Sequence, residues 1–315
     1  MNFIFSKETK KHKKLCLPIL ALESTILAHG MPYPKSYHFA KNIEENCRKK
    51  GVAPATIAVL GGQVHVGLND KNLKKICQSK EILKLSKRDL PFALATKQSG
   101  ATTVSATAWI AYKAGLSVFS TGGIGGVHRN VENHFDVSQD LKALSETPIV
   151  IVSAGAKSIL DLPKTVETLE TLGVPTIGYK TGFFPAFYTR SSGIKINKVV
   201  KSEKQVALLY LEHLKVGLHS SVFIVNPIFK KDEIPQEKID FFILRALQEA
   251  QKQKVSGKDL TPFLLKNIAE KTKGESLKAN ISLAKNNVNL GAKIAQELSL
   301  CVNMATNQYS EHSLI

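Results

Sequence analysis

The stretch that decides the fold of this 315-residue chain is Ile149-Val-Ile-Val-Ser-Ala-Gly-Ala-Lys157-Ser158. A short continuous run of β-branched residues is typical of a strand that is buried on both faces of a parallel sheet. The run passes into small residues and then into one lysine. Ligands bind at the carboxyl edge of open α/β sheets. The stretch therefore predicts a buried strand that brings Lys157 to a ligand-binding edge.

Short apolar runs and longer mixed segments alternate from Leu17 onward, as expected for strands interleaved with helices. The predicted helices cover residues 34–50, 103–114, 138–145 and 162–172, and the predicted strands cover 118–120, 148–152 and 176–179. A hairpin closed by Gly61-Gly62 is expected over residues 56–66. The chain is therefore predicted to be a single α/β domain, with a central mixed β-sheet flanked by helices.

The C-terminal third is predicted to be mainly helical, with segments at 235–254, 262–271 and 276–298. The two ends differ from the rest in composition. Residues 1–15 form a lysine-rich head that we expect to be disordered, and residues 303–315 form a polar tail that we expect to be loose. One catalytic domain over residues 16–302 is the simplest division of the chain.

The charge balance favours anionic partners, because 43 basic residues stand against 26 acidic ones and give a net charge of +17. The excess is lysine, whereas base reading relies on the planar fork of arginine. The chain has few arginines: Arg48, Arg88, Arg129, Arg190 and Arg245. Specific nucleic-acid binding is therefore not expected, although a non-enzymatic nucleic-acid-binding protein stays open as an alternative.

Cysteine usage and hydropathy indicate a cytoplasmic protein. Cys16, Cys47, Cys77 and Cys301 show no C-x-x-C spacing, so the sequence suggests neither a disulfide framework nor a zinc site. No apolar run approaches the roughly 20 residues of a membrane-spanning helix. The head lacks the apolar region of a secretory signal. Membrane association is not expected, and targeting to an organelle by the basic head stays open.

The run Thr121-Gly-Gly-Ile-Gly-Gly-Val-His128-Arg129 follows an apolar strand and is the most unusual segment of the chain. Four glycines allow backbone N–H groups to approach an anion, so the run could cradle a phosphate. It matches neither G-x-G-x-x-G nor the P-loop pattern, which disfavours a nucleotide cofactor. The alternative is a tight turn after the strand, because glycines often cluster at turns.

Two single residues are candidates for covalent and acid–base chemistry. A desolvated Lys157 amine could attack a carbonyl and form a Schiff base. Glu23 also follows an apolar run, and a buried carboxyl can act as a general acid. The structural alternatives are an exposed lysine at a helix start and a carboxylate that caps a helix.

The segment Asp136-Val-Ser138-Gln-Asp140 has two possible interpretations. It has the pattern of a helix N-cap with an acid in the first turn. It could also hold a hard divalent cation, which would keep several waters because few carboxylates lie nearby in the sequence.

At these residues the sequence resembles the pseudouridine-5'-phosphate glycosidases, in order over nearly the whole chain. The resemblance is carried by several separate blocks. These are Ala21-Leu-Glu-Ser-Thr, His29-Gly-Met-Pro, Pro54-Ala-Thr-Ile-Ala, His65-Val-Gly-Leu, Gly100-Ala-Thr-Thr-Val, Phe119-Ser-Thr-Gly-Gly-Ile-Gly-Gly-Val-His-Arg, Ser153-Ala-Gly-Ala-Lys-Ser-Ile-Leu-Asp, Phe184-Pro-Ala-Phe-Tyr, Thr261-Pro-Phe-Leu-Leu, Ser276-Leu-Lys-Ala-Asn-Ile, Asn286-Asn and Leu290-Gly-Ala.

The resemblance implies reversible cleavage of the carbon–carbon glycosidic bond of pseudouridine 5'-phosphate, which yields uracil and ribose 5-phosphate. It implies Lys157 as the nucleophile that forms the Schiff base and Glu23 as the proton donor. It also implies one Mn²⁺ per subunit, held by Asp136 and mostly by water, and a homotrimer.

The resemblance further implies a set of substrate contacts. They are Lys84, Val104, Thr121, His128, Ser138, Gln139, Asp140 and Asn280. A Schiff-base aldolase and another nucleotide N-glycosidase of the same architecture are the alternatives among enzymes.

Overall fold

The computed structural model describes residues 2–255, 257 and 260–312. In this part of the chain the strands form one sheet of eleven strands. The strands are β1 (Phe3–Phe5), β2 (Ile19–Leu22), β3 (Ala53–Leu60), β4 (Gln63–Val66), β5 (Leu83–Leu85), β6 (Gly100–Thr102), β7 (Val118–Ser120), β8 (Val150–Ser153), β9 (Thr176–Tyr179), β10 (Val199–Val200) and β11 (Val222–Val225).

Helices cover the sheet and make up most of the C-terminal third, as the sequence predicts. They are α1 (Lys7–Lys14), α2 (Thr25–Ala28), α3 (Lys35–Arg48), α4 (Asp70–Gln78), α5 (Leu90–Ala95), α6 (Val104–Lys113), α7 (Val131–His134), α8 (Gln139–Ser145), α9 (Leu162–Thr171), α10 (Glu203–Lys215), α11 (Gln236–Lys252), α12 (Leu260–Lys271) and α13 (Glu275–His312), with 3₁₀ turns at Lys87–Asp89 and Lys230–Asp232. No helix among the described residues is long and apolar enough to cross a bilayer.

The centre of the sheet is parallel, in the order β3-β2-β7-β8-β11-β9-β10. The predicted strand after Pro148 is β8, which lies between β7 and β11 and is fully buried. Its continuous apolar character follows from that position, because a central parallel strand is covered by helices on both faces. The parallel order brings the carboxyl ends of β2, β7 and β8 to one edge.

The sheet divides at β3, where two antiparallel neighbours make it mixed, as predicted. The second half of β3 pairs with β4 and also with β6. The β3–β4 hairpin confirms the turn expected at Gly61-Gly62. Both glycines have positive φ (57° and 74°), which a two-residue turn of this kind requires.

The head is ordered, so the expectation of disorder over residues 1–15 is wrong for its described part, residues 2–15. β1 pairs with β4 in parallel, and Phe3 lies opposite Val64. Ser6 then caps α1 by accepting a hydrogen bond from the Thr9 N–H (3.1 Å), and Thr9 is fully buried. Two phenylalanines and a capping serine stabilise a segment whose lysines alone suggest disorder.

The tail also departs from expectation, because α13 continues through residue 303 to His312 rather than ending near Leu298. Residues 313–315 lie outside the described residues. α13 packs along β2, β7 and β8 and against α3 and α10. It comes very close at Gly291, where a Cβ would lie 3.0 Å from Leu20 and 3.2 Å from Ser120. A larger residue would push the helix away from the sheet.

Candidate active site

Three of the candidate residues follow neighbouring parallel strands. Glu23 follows β2 directly, Thr121 follows β7 directly, and Lys157 comes four residues after the end of β8. Since these strands are adjacent and parallel, their carboxyl ends open at the same edge, which is where ligands bind in such sheets. The edge forms one side of a cavity of about 1810 Å³.

The cavity gathers residues that are far apart in the sequence. All the candidate residues except Thr121 line it, and Thr121 lies immediately behind Glu23. The lining candidates are Glu23, Lys84, Val104, His128, Asp136, Ser138, Gln139, Asp140, Lys157 and Asn280. The structure brings these side chains together, whereas their individual roles remain predictions.

The Glu23 carboxyl lines the cavity, and its surroundings shift its pKa. Burial raises its pKa, and the Lys157 ammonium and a hydrogen bond from the Thr121 hydroxyl oppose that shift. The charge of Asp140 raises it further. A carboxyl group whose pKa is raised and that lies near an amine is suited to general acid catalysis.

The glycine run 121–129 is closely packed, and several of its N–H groups are already used within the protein. The Ile124 N–H donates to the Gly155 carbonyl (3.1 Å). The Gly125 N–H donates to Asp140 Oδ2 (2.8 Å). These two N–H groups of the predicted phosphate cradle are therefore already bonded within the protein, as in a tight turn.

Two of the glycines are explained by close approach of neighbouring side chains. A Cβ on Gly123 would lie 2.5 Å from the Phe187 ring. A Cβ on Gly125 would overlap Ser138 and lie 2.8 Å from Asp140 Oδ2. The run thus lets the loop after β7 pack between Phe187 and the start of α8.

His128 and Asp136 form the part of the cavity that could hold a cation. The backbone N–H of His128 donates to the backbone carbonyl of Asp136 (3.0 Å), and the ring atom Nδ1 of His128 lies 3.9 Å from Asp136 Oδ2. Burial lowers the pKa of His128, Asp136 opposes this shift, and the charges of Lys157 and Lys84 add to it. The net shift favours the neutral imidazole.

A metal at Asp136 would depend largely on water. Among the described residues, no three His, Cys, Asp or Glu side chains converge on one point. Asp136 is partly exposed at the cavity and offers hard oxygen atoms. This donor set fits a cation such as Mn²⁺ or Mg²⁺ that keeps several waters, and it does not fit a site built wholly from protein ligands.

The first turn of α8 confirms the predicted N-cap, because Ser138 accepts a hydrogen bond from the Asp140 N–H (3.2 Å). Asp140 is buried, and its Oδ1 accepts a hydrogen bond from the backbone N–H of Ser105 in the first turn of α6 (2.9 Å). Gln139 accepts from the Arg88 N–H (3.0 Å). These side chains join three loops around the cavity. Their predicted role in substrate binding is untested.

Lys84, Val104 and Asn280 come from three other elements. Lys84 lies on β5, and Val104 begins α6, whose N-terminus carries the positive end of the helix dipole. Asn280 on α13 is buried, and its Oδ1 has no hydrogen-bond partner among the described residues. A buried amide oxygen that lines a cavity without a partner is suited to accept a hydrogen bond from a ligand.

Two side chains that shape the site, Phe187 and Asn287, have no role that the sequence alone predicts. Phe187 has a φ of 65° and packs its ring against Gly123. Asn287, buried on α13, donates to the carbonyl of Thr121 (2.9 Å). Both residues lie in blocks that carry the family resemblance. Their contacts join residues that are far apart in the sequence, so no local pattern indicates them.

Comparison with protein-family models matches residues 8–297 to the indigoidine synthase A-like proteins. Two bacterial relatives are named pseudouridine-5'-phosphate glycosidase. The protein of Petrotoga mobilis is 52% identical over 90% of this chain and 92% of its own length. The protein of Caldanaerobacter subterraneus is 50% identical over 93% of this chain and 96% of its own length.

Two solved structures share the fold. An indigoidine synthase A-like protein from Thermotoga maritima is 34% identical, with a TM-score of 0.87 over 94% of this chain and 96% of its own. The prealnumycin C-glycosynthase AlnA, solved in complex with ribulose 5-phosphate, is also 34% identical. Its TM-score is 0.88 over 96% of this chain and 98% of its own.

Proposed function

The chain is an enzyme of the pseudouridine-5'-phosphate glycosidase family, and we propose that it reversibly cleaves the C-glycosidic bond of pseudouridine 5'-phosphate through a covalent adduct on Lys157. The products are uracil and ribose 5-phosphate. The observation that carries the proposal is the Glu23 carboxyl, whose pKa is raised by burial and which lies within electrostatic reach of Lys157 in one cavity. The likeness to a C-glycosynthase solved with a sugar phosphate supports the same class of chemistry.

The chemical difficulty is the leaving atom. In an ordinary nucleoside the bond to the base is broken at a nitrogen, whereas here C1' is bound to C5 of uracil, and a carbon anion is a poor leaving group. Covalent catalysis divides such a step into easier ones. The amine of Lys157 attacks C1' in its unprotonated form while Glu23 gives its proton to the ring oxygen, so the C1'–O4' bond breaks and the ribose ring opens.

The carbon–carbon bond breaks in the second step. The Lys157 nitrogen first loses a proton to the Glu23 carboxylate, which restores its lone pair. A proton is added at C5 of uracil with the C5–C6 π electrons, and N1 stabilises the cation left at C6. The nitrogen lone pair then forms a C=N bond to C1', while the C1'–C5 electron pair restores the C5–C6 double bond and releases uracil. Water then hydrolyses the imine and releases ribose 5-phosphate and the free amine. Glu23 can exchange protons in these later steps.

The remaining groups bind the anionic substrate. Lys84 and the N-terminus of α6 at Val104 provide positive potential for the 5'-phosphate, whose binding energy can be used to distort the ribose ring. Asn280 offers an amide whose oxygen has no hydrogen-bond partner in the described part of the chain. Asp136 would hold a divalent cation, with Mn²⁺ as the expected metal, and the cation would supply further positive charge toward the substrate.

The proposal is tested by incubating the purified chain with pseudouridine 5'-phosphate and Mn²⁺ and measuring free uracil. Borohydride added during turnover should reduce the imine and leave the sugar phosphate on a peptide that contains Lys157. Absence of uracil release would contradict the function. A labelled peptide that lacks Lys157 would contradict the assignment of the nucleophile.

Two further substrates distinguish the alternative enzymes. Uridine 5'-phosphate would be cleaved by an N-glycosidase, and deoxyribose 5-phosphate would be cleaved by a Schiff-base aldolase. We expect both to react far more slowly than pseudouridine 5'-phosphate. Faster release of products from either one would replace the proposed reaction. RNA binding with a steep salt dependence and no glycosidase activity would support the non-enzymatic alternative.

A homotrimer and a cytoplasmic location belong to the same proposal. The homotrimer follows from the family resemblance, and the cytoplasmic location follows from cysteine usage and hydropathy. Light scattering on the purified protein should give three times the mass of one chain, and a mass of one or two chains would contradict the trimer.

A further inference from the structure

We propose that Asn287 is a positioning residue for this reaction: together with Asn226 it fixes the backbone at Thr121 and so holds the Thr121 hydroxyl on the Glu23 carboxyl. The inference rests on the proposed function, because Glu23 is its proton donor. Neither asparagine lines the cavity, so neither is a substrate contact. Their effect would be exerted through the loop that begins at Thr121 and Gly122.

Asn287 donates hydrogen bonds to the loop that follows β7. The side chain is fully buried on α13. Its Nδ2 donates to the carbonyl of Thr121 (2.9 Å) and to the carbonyl of Gly122 (3.2 Å). One side-chain amide thus satisfies two consecutive carbonyl groups where the chain leaves β7. Because buried carbonyl groups require partners, this bond restricts the direction in which the loop leaves the strand.

Asn226 orients Asn287 from the sheet. Its Nδ2 donates to Asn287 Oδ1 (3.0 Å), which leaves the Asn287 Nδ2 facing the loop. The backbone N–H of Asn226 also donates to the Ser153 carbonyl at the end of β8 (2.8 Å). The chain reaches Ala156 three residues after Ser153, and Lys157 follows. The asparagine pair therefore connects the ends of β7, β8 and β11. Both side chains are at least nine-tenths buried.

Asn287 acts on the Glu23 carboxyl through one residue, Thr121. Thr121, whose carbonyl Asn287 holds, donates its hydroxyl proton to Glu23 Oε1. That hydrogen bond favours the ionised carboxylate and so lowers the pKa of Glu23 against the effect of burial. Displacement of Thr121 would both misplace the acid and change the pH at which it loses its proton. A misplacement of about 1 Å can cost roughly 10²-fold in rate.

The test compares three alanine variants. Asn287→Ala removes both bonds to the loop, and Asn226→Ala removes only the group that orients Asn287. Asn286→Ala is the matched control, because Asn286 lies on the same helix and donates one amide hydrogen bond to the Pro227 carbonyl (3.0 Å), away from Thr121. Lys157 and Asp140 also act on Glu23, and no variant replaces them.

We expect Asn287→Ala to lower kcat by about 10- to 100-fold with KM within about threefold of the unsubstituted enzyme. The high-pH limb of kcat, where Glu23 loses its proton, should move to higher pH. Asn226→Ala should show the same changes at smaller size. Asn286→Ala should keep kcat within about threefold and leave the limb in place.

The Glu23 titration is also measured without substrate, by carbon NMR of protein labelled at the glutamate carboxyl carbon, with the signal assigned by Glu23→Gln. If the unsubstituted protein releases no uracil, the proposed function fails, yet this titration still tests the action of Asn287 on Glu23. An unchanged Glu23 titration in Asn287→Ala would overturn the inference. If Asn287→Ala does not fold, an unchanged titration in Asn226→Ala would overturn it instead.

Discussion

The two sides of the cavity are built in different ways. The strand side consists of Glu23 and Lys157, with Thr121 behind Glu23, and all three residues follow adjacent parallel strands. The helix side consists of Lys84, Val104 and the segment 136–140, which lie on a short strand, at a helix N-terminus and in a loop that leads into the first turn of α8. The strand side is surrounded by buried backbone, whereas Phe135, next to the helix side, is 85% exposed.

This difference separates chemistry from binding. A covalent step requires reacting atoms held to fractions of an ångström, and strand ends in a packed sheet provide that precision. An anionic group can be held by positive charges of less exact position, which helix ends and lysines supply. We therefore expect substitutions on the strand side to lower kcat and substitutions on the helix side to raise KM or weaken metal binding.

The largest effect is expected for Lys157→Ala, which should lower uracil release by about 10⁴-fold or more, because the covalent step has no nucleophile. Substrate binding should persist, as measured by calorimetry. Lys157→Arg keeps the positive charge without a usable nucleophile and should be equally inactive. Turnover near normal in either variant would remove the covalent role.

Glu23→Gln should lower kcat by about 10²- to 10⁴-fold, the usual contribution of a general acid. Glu23 acts in its protonated form, so activity should fall as the pH rises through its pKa, which burial raises above the usual value. The residual activity of the Gln variant should lack that limb. A pH–rate profile of both proteins measures this difference.

Glu44→Gln is the control for the effect of burying a carboxyl. Burial also raises the pKa of Glu44, but this residue bonds to Thr56 and Arg48 and does not line the cavity. The substitution is expected to leave the pH profile of kcat unchanged. A loss of the same limb in Glu44→Gln would show that the limb does not report Glu23.

On the helix side, excess EDTA should abolish or strongly reduce activity, and Mn²⁺ should restore it. Asp136→Asn removes the charged oxygen and should raise the Mn²⁺ concentration needed for half-maximal activity by about 10-fold or more. At saturating Mn²⁺ its kcat should recover in large part. Full activity of the unsubstituted enzyme in EDTA would contradict the metal requirement.

Lys84→Ala is expected to have the smallest effect on kcat. A hydrogen bond to a charged group is worth about 1.5–3 kcal/mol, so KM should rise roughly 10- to 150-fold with kcat little changed. Pseudouridine without its phosphate should react poorly with both proteins. Lys87→Ala is the control, because Lys87 pairs with Glu146 (2.9 Å) and does not line the cavity. Equal KM values for the two variants would contradict the assignment of Lys84.

Much of the fold could be predicted from local sequence. The apolar run at β8, the hairpin of β3 and β4 and the helices that flank them have patterns that a few consecutive residues determine. The position of Lys157 at the carboxyl edge followed from the same reasoning. The list of site residues came from the family resemblance, and the structure brings them into one cavity.

Contacts between distant segments could not be predicted in this way. β1 is ordered because it pairs with β4, some 60 residues later, and the lysines around it carry no sign of that partner. The glycine run suggests an open anion site, yet Asp140 occupies the Gly125 N–H. The bond from Asn287 to Thr121 joins residues far apart in sequence. Such features arise from packing, which no local window contains.

Helix α13 determines when, during synthesis, the protein can first align its catalytic groups. Asn280 and Asn287 lie about two turns apart on this helix, where they reach the cavity and the loop behind Glu23, and both are translated late. Every strand of the sheet is translated before them. A nascent polypeptide that stalls before α13 would carry both the acid and the amine, yet would lack the support that aligns them.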